Sequence, residues 1–230
     1  MNRSISIILK ECENSINYTF KNKDYLLEAL THRTYANEKS NNMKYNQRLE
    51  FLGDSVLSLI INEYLFKTYE NYEEGILSRF KSSLVSRDSL ADISRSLNLG
   101  NYILLGRGEE SSGGRYRANM LEDLFEAIVG AIYLDSGFDS VKNFILNIYD
   151  NRLKQLNINT FDKDYKTMFQ EIIQKKYKVN PIYNTIEYDN NFSFKSEVLV
   201  SNKVYGTGFA NNKKEAEINA AKEALEKINK

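Results

Sequence analysis

The sequence predicts an all-α domain followed by a small α+β domain of order α-β-β-β-α. Three observations carry that prediction. Apolar residues recur at three- and four-residue spacing from about residue 5 to residue 153, the period of helices that bury one face. The periodicity lapses over "KQLNINTFDK", residues 154–163, which marks a linker. Over residues 164–230 a helical stretch gives way to three short strand-like runs and then to a segment dense in Ala, Glu and Lys.

In the first domain, residues 1–153, the helical period runs through "LLEALTHRTY", "DSVLSLIINEYLF", "LSRFKSSLVSRDSLADISRSL", "MLEDLFEAIVGAIYLDSG" and "VKNFILNIYDNRLKQL". Asp135-Ser136-Gly137 reads as a stop, with Asp139 or Ser140 placed to cap the helix that follows. "GRGEESSGGRYR", residues 106–117, is rich in Gly and Ser but lacks the Gly-Lys-Ser/Thr ending of a nucleotide-binding turn. It is expected to be a mobile connector, and no nucleotide cofactor is expected. In the second domain "YKTMFQEIIQKKY" is the first helix, and Pro181 opens the strand "IYNTIEY". "SFKSEVLVS" and "VYGTGFA" follow as strands joined by a tight turn at Ser201-Asn202-Lys203, and "NNKKEAEINAAKEALEKINK" is the closing helix.

Composition narrows the chemistry. The 230 residues carry 31 Lys plus Arg against 31 Asp plus Glu, so net charge argues neither for nor against a polyanionic partner. Cys12 is the only cysteine and His32 the only histidine, which excludes a disulfide framework and zinc sites built from several Cys or His. His32 is expected to order a helix junction, and Cys12 to be inert. The N-terminal apolar run is short and ends in charges, unlike a signal peptide. No segment approaches the roughly 18 apolar residues of a membrane span. A soluble, cytoplasmic protein without membrane contact is the expectation.

Two segments raise a sharper question. "NQRLEFLGDSVLSLII", residues 46–61, is apolar in nearly every direction when set on a helix, and such a helix belongs in an interior. Yet it carries Glu50 and Asp54 four residues apart, on one face. "NMLEDLFEAIVGAIYL" repeats the pattern with Asp123 and Glu126 three apart. Acid pairs at these spacings usually mark a solvated helix face. On helices without a polar face, the ionised carboxylates need compensation, because burying an unpaired charge costs several kcal/mol. Protonation, arginine pairing or a bound divalent cation would each serve, and Mg²⁺ suits oxygen ligands with retained waters. With so little His or Cys, catalysis here would be metal-assisted and oxygen-ligated, which fits phosphoester hydrolysis. Glu74, in "NYEEGILSRF", could add one more oxygen.

These residues resemble a known family. "NQRLEFLGDSVL" closely resembles the motif of ribonuclease III, the double-strand-specific RNA endonuclease. "ALTHRTY", "EEGILSRFKSSLV", "LGRGEESSGGRYR" and "LEDLFEAIVGAIYLDSG" agree in order and spacing. The α-β-β-β-α segment resembles the double-stranded-RNA-binding domain that follows the nuclease domain in bacterial members. The resemblance implies metal ligation by Glu50, Asp54, Asp123 and Glu126, with Asp54 and Glu126 closest to the chemistry and Glu74 an accessory acid. It implies Mg²⁺, with Mn²⁺ able to substitute, and a homodimer formed through the helical domain. Implied products carry 5′-phosphate and 3′-hydroxyl ends with two-nucleotide 3′ overhangs, from rRNA precursors and other structured transcripts. Gln47 departs from the Glu that often opens the motif; an amide can orient water or RNA but adds no charge.

For the second domain, Thr167, Gln170 and Glu171 offer polar groups along one side of the first helix, suited to groove contacts. Lys213 and Lys214 stand at the start of the last helix, where the dipole also favours phosphate. Residues 164–230 hold eleven Lys and nine acids, a weak surplus on which charge alone decides nothing. The loop "YDNNFSF" lacks the His that reaches the minor groove in the family, and Glu217 occupies the third basic position of the general domain motif. Two other readings compete: a non-catalytic RNA-binding regulator or ribosome component on this scaffold, and an unrelated helical hydrolase of small phosphates. Four intact acids speak against the first and the appended domain against the second.

Overall fold

A computed structural model of the chain describes residues 4–39, 42–70, 72–156, 165–188 and 192–228. It divides into two compact units, Met1–Gln155 and Leu156–Lys230. Residues 157–163 of the predicted linker lie outside the described residues, and Lys154 still belongs to the preceding helix.

The first unit is helical throughout: α1 (Ile5–Ile16), α2 (Lys23–Leu30), α3 (Arg33–Lys39), α4 (Gln47–Thr68), α5 (Glu74–Leu84), α6 (Arg87–Ser96), α7 (Arg107–Ser111) and α8 (Ala118–Lys154), with single 3₁₀ turns at Leu99–Asn101 and Gly114–Tyr116. Two apparently continuous helical runs break. "LLEALTHRTY" is cut at Thr31, whose extended backbone pairs with Leu104. His32 then opens α3, its Nδ1 accepting the Thr34 amide at 3.3 Å, as its expected ordering role requires. The second run is cut at Ser86, which caps α6 by accepting the Ser89 amide. Gly137, at φ 80° and ψ −176°, bends α8 at the predicted stop. Asp135 beside it accepts the Lys21 and Asn22 amides and the Tyr18 hydroxyl, fixing the bend to the α1–α2 turn.

The segment 106–117 is not a loose connector. Arg115 donates to the Gly100 and Ile103 carbonyls and pairs with Glu110, while Arg117 pairs with Glu109. These bonds fold it into α7 and a 3₁₀ turn. Cys12 is fully buried and its thiol is pushed up to about 12, chiefly by burial, in keeping with an inert side chain.

The second unit runs α9 (Tyr165–Tyr177), β1 (Ile182–Glu187), β2 (Phe194–Val200), β3 (Lys203–Ala210) and α10 (Lys213–Ile228). The sheet is antiparallel in the order β1-β2-β3. Ser201 and Asn202 both take positive φ, forming the two-residue hairpin whose twist suits antiparallel strands. Lys203, expected in the turn, is the first residue of β3. Phe169, Ile173, Val198, Val200, Ala220, Ala221, Ala224 and Leu225 form the core under one sheet face.

Candidate active site and RNA-binding face

Helices α4 and α8 make the principal packing contact of the first unit, and two glycines set its depth. A Cβ on Gly53 would overlap the carbonyl of Glu126, and one on Gly130 would overlap the carbonyl of Leu49. The backbones therefore touch, which lays the Glu50–Asp54 turn of α4 directly against the Asp123–Glu126 turn of α8. The two acid pairs noted in the sequence share one site.

Electrostatics show how closely they interact. Glu126 is pushed up to about 8, first by burial and then by Asp54, Glu122, Glu50 and Asp123. Asp123 rises to about 6 through burial and the neighbouring Glu122, with Arg87 opposing. Glu50 is raised by burial, Asp123 and Glu122. None of the four carboxylates has an ion-pair partner among the described residues. Among the described residues, no three acids converge tightly enough to share one ion. The donor set is oxygen only, and its negative charge is answered only in part by Arg87, which acts on Asp123 from its pair with Glu122. Both features fit a hard divalent cation that keeps several waters, rather than a closed protein cage.

Two participants escaped sequence reasoning. Glu122, the residue before Asp123 on α8, contributes to the shifts of Glu50, Asp123 and Glu126. Arg87, at the start of α6, holds Glu122 at 3.3 Å and is the cation felt by Asp123. Their signal was weak, one acid beside another and one arginine 35 residues away. Gln47 is exposed in the first turn of α4, one turn before Glu50. Glu74 is the first residue of α5, where it accepts the Ser78 hydroxyl at 2.6 Å, and it is not among the groups that shift Glu50, Asp123 or Glu126.

α4 also corrects an expectation. It is not enclosed on all sides: Phe51, Leu59 and Phe66 are 79%, 56% and 73% exposed along one side. The apolar circumference is genuine, but within a single chain one stripe of it is bare.

In the second unit Thr167, Gln170 and Glu171 are all exposed on α9, opposite the buried Phe169 and Ile173. Lys213 and Lys214 are exposed in the first turn of α10. That turn is capped by Asn212, whose Oδ1 accepts the Glu215 amide while its Nδ2 donates to the Glu215 carboxylate. Residues 189–191 of the loop "YDNNFSF" lie outside the described residues.

Comparison with known proteins places this arrangement. Residues 22–153 match the family described as Ribonuclease-III-like, and residues 165–228 match the double-stranded RNA binding motif. The chain belongs to the ribonuclease III family. It is 47% identical over 228 residues to Ribonuclease 3 of Borreliella burgdorferi, covering 97% of this chain and 92% of the relative. Ribonuclease 3 of Caldanaerobacter subterraneus is 42% identical, covering 96% and 98%. Among solved structures, a ribonuclease III nuclease domain from Campylobacter jejuni is similar at 41% identity and a TM-score of 0.58, over 62% of this chain and 96% of that one. That nuclease domain is described as flexible in a region involved in dimer formation. The ribonuclease III fold thus occupies the first unit, and the double-stranded-RNA-binding fold the second.

Proposed function

We propose that the chain is a divalent-metal-dependent endoribonuclease that cleaves double-stranded RNA, acting as a homodimer in the cytoplasm. The observation that carries the reading is the α4–α8 crossing, where four carboxylates gather without a direct ion-pair partner among the described residues, in a chain that also carries a duplex-RNA-binding motif. Family membership favours the enzyme over a non-catalytic RNA-binding protein, and the intact acid set agrees with it.

Glu50, Asp54, Asp123 and Glu126 would hold Mg²⁺, with Mn²⁺ as a substitute. The bound ion would activate water and stabilise charge on the scissile phosphate and leaving oxygen. The chain's own part is to hold the acids. Rigid helices joined backbone to backbone fix where Asp54 and Glu126 stand. Glu126, protonated over much of the neutral range when no cation faces it, is the carboxylate most changed by ionisation. Gln47 would orient water or RNA through its amide, and Glu74 would act nearer the RNA. Thr167, Gln170 and Glu171 would reach 2′-hydroxyls, and Lys213 and Lys214 phosphates. The bare stripe of Phe51, Leu59 and Phe66 supports a second copy as partner, since that pairing would bury the remaining side of α4.

The test is cleavage of a long perfect RNA duplex, with single-stranded RNA and DNA duplex as controls, in Mg²⁺ and in chelator. Metal-dependent cutting of the RNA duplex alone, with staggered two-nucleotide 3′ overhangs, is the expected result. Binding without cutting in Mg²⁺ and Mn²⁺ would return the chain to the regulatory reading. Ribosomal RNA precursors and structured messengers are the natural substrates to try next.

A further inference from the structure

We propose that Glu217 is a positioning residue for duplex binding, tying the first turn of α9 to the second turn of α10, just beyond Lys213 and Lys214, and so setting the spacing of the two RNA-facing segments. The inference rests on reading Thr167, Gln170, Glu171, Lys213 and Lys214 as those segments.

An acid at a position of the motif that is generally basic has the wrong sign for a phosphate contact. The structure turns it inward. Lys166 Nζ donates to Glu217 Oε2 at 2.6 Å, and Thr185 Oγ1 donates to Glu217 Oε1 at 3.2 Å. Thr185 shares a further hydrogen bond, 2.9 Å long, with the buried Ser196 hydroxyl. The same Lys166 ammonium sits 4.4 Å from the centre of the Tyr183 ring. One carboxylate thus binds α9 and, through Thr185, both β1 and β2. The side chains are partly shielded, with 36% exposure for Lys166 and 25% for Glu217, where a charge-assisted hydrogen bond outlasts a fully solvated one.

The location matters as much as the bonds. Lys166 immediately precedes Thr167, and Glu217 stands one helical turn beyond Lys213. Against β3, α10 rests on a smooth surface, with Gly206 and Gly208 against Ala216, Ala220 and Ala224. Small residues let backbones approach but supply few interlocking side chains, so polar ties must hold the helix along its axis. Thr207 and Phe209 tie α10 to β3 through Glu223 and Asn219, and Lys222 lies over the Tyr165 ring. Glu217 supplies the ion pair between α10 and α9. A duplex reader contacts grooves at fixed separations of the A-form helix, so an error in the α9–α10 spacing weakens every contact at once.

The sign of one substitution decides the matter. If Glu217 acts only through its charge, Glu217→Ala removes an acid beside two lysines and tightens RNA binding. As a positioning residue, its loss weakens binding by about tenfold, with the salt slope unchanged because no phosphate contact is lost. The full chain would be titrated with a uniform RNA duplex in chelator, with far-UV circular dichroism and melting recorded for every variant. Should Glu217→Ala fail to fold, Glu217→Gln keeps the volume and a bond to Thr185, and about threefold weakening is expected. The charge swap Lys166→Glu with Glu217→Lys is expected to restore affinity that Lys166→Glu alone loses. Parental or tighter binding by a folded Glu217 variant, or a swap that recovers nothing, overturns the proposal. Lys213→Ala with Lys214→Ala locates such a failure. If that pair lowers affinity and salt slope while Glu217→Ala is silent, the latch alone is wrong; if both are silent, the RNA-facing surface is wrong as well.

Discussion

Two places in the chain press backbone against backbone at a pair of glycines, and their charges are arranged oppositely. At the α4–α8 crossing, Gly53 and Gly130 bring together four carboxylates none of which has a direct ion pair among the described residues, the nearby Arg87 being paired with Glu122. At the β3–α10 contact, Gly206 and Gly208 seat a helix whose inward acids are answered: Glu217 by Lys166, and Glu223 by Lys227 and the Thr207 amide. Packing alone therefore does not explain the acids of the first unit. A fold that can pair its carboxylates in one place, and leaves them facing one another in another, keeps the second set for something that is not part of the chain.

The sharpest way to break that contrast is Glu126→Gln. Cleavage is expected to fall by about a hundredfold or more, with duplex binding in chelator unchanged. A variant that cuts at the parental rate would remove Glu126 from the centre of the site. Next comes Gly53→Ala, which drives a methyl group into the Glu126 carbonyl. About 2–4 kcal/mol of destabilisation is expected in urea or thermal unfolding. Gly75→Ala, with open space around the added Cβ, should stay within about 1 kcal/mol of the parent. Equal stability for the two variants would mean that the crossing is looser than described. Phe51→Asp tests the other side of α4; if that stripe is covered by a second copy, sedimentation should show dimer association weakened by about tenfold or more.

The smallest effect is one of pH. Glu126 and Asp123 bind protons more tightly folded than unfolded, so their ionisation destabilises the metal-free fold. Stability contributed by the neutral acids is present below the ordinary carboxylate range and is lost as pH rises toward about 8, the value for Glu126. Melting of the metal-free protein should thus decline between about pH 5 and pH 8, a slope that Glu126→Gln shallows and saturating Mg²⁺ offsets. A melting temperature that climbs over this interval in all three samples would argue against an uncompensated cluster.

Much of this was legible in the chain itself. The paired acids could be read because helical spacing places i, i+3 and i+4 on one face without reference to any other segment. α9 was readable for the same reason, its apolar period running unbroken from Tyr165 to Tyr177. What escaped depends on partners distant in sequence. The break between α2 and α3 follows from Thr31 pairing with Leu104, and the ordering of 106–117 from Arg115 reaching Gly100 and Ile103. Arg87 acquires meaning only through Glu122, and Glu217 only through Lys166, 51 residues earlier. The apolar circumference of α4 was read correctly as burial, but no periodicity states whether the covering surface belongs to the same chain.

The bend at Gly137 has a consequence for how the protein can vary. Its backbone, φ 80° with extended ψ, lies in a region that glycine alone occupies at low cost. Every amino acid one nucleotide away from a glycine codon carries a side chain, so no single coding step leads to another residue at ease there. The two halves of α8, one bearing the acids and the other closing the core with Val141, Ile145 and Tyr149, are joined at a point that drift can enter only at a loss. The acid cluster is expected to inherit that rigidity across generations, from a residue about three helical turns beyond its last acid and touching none of its chemistry.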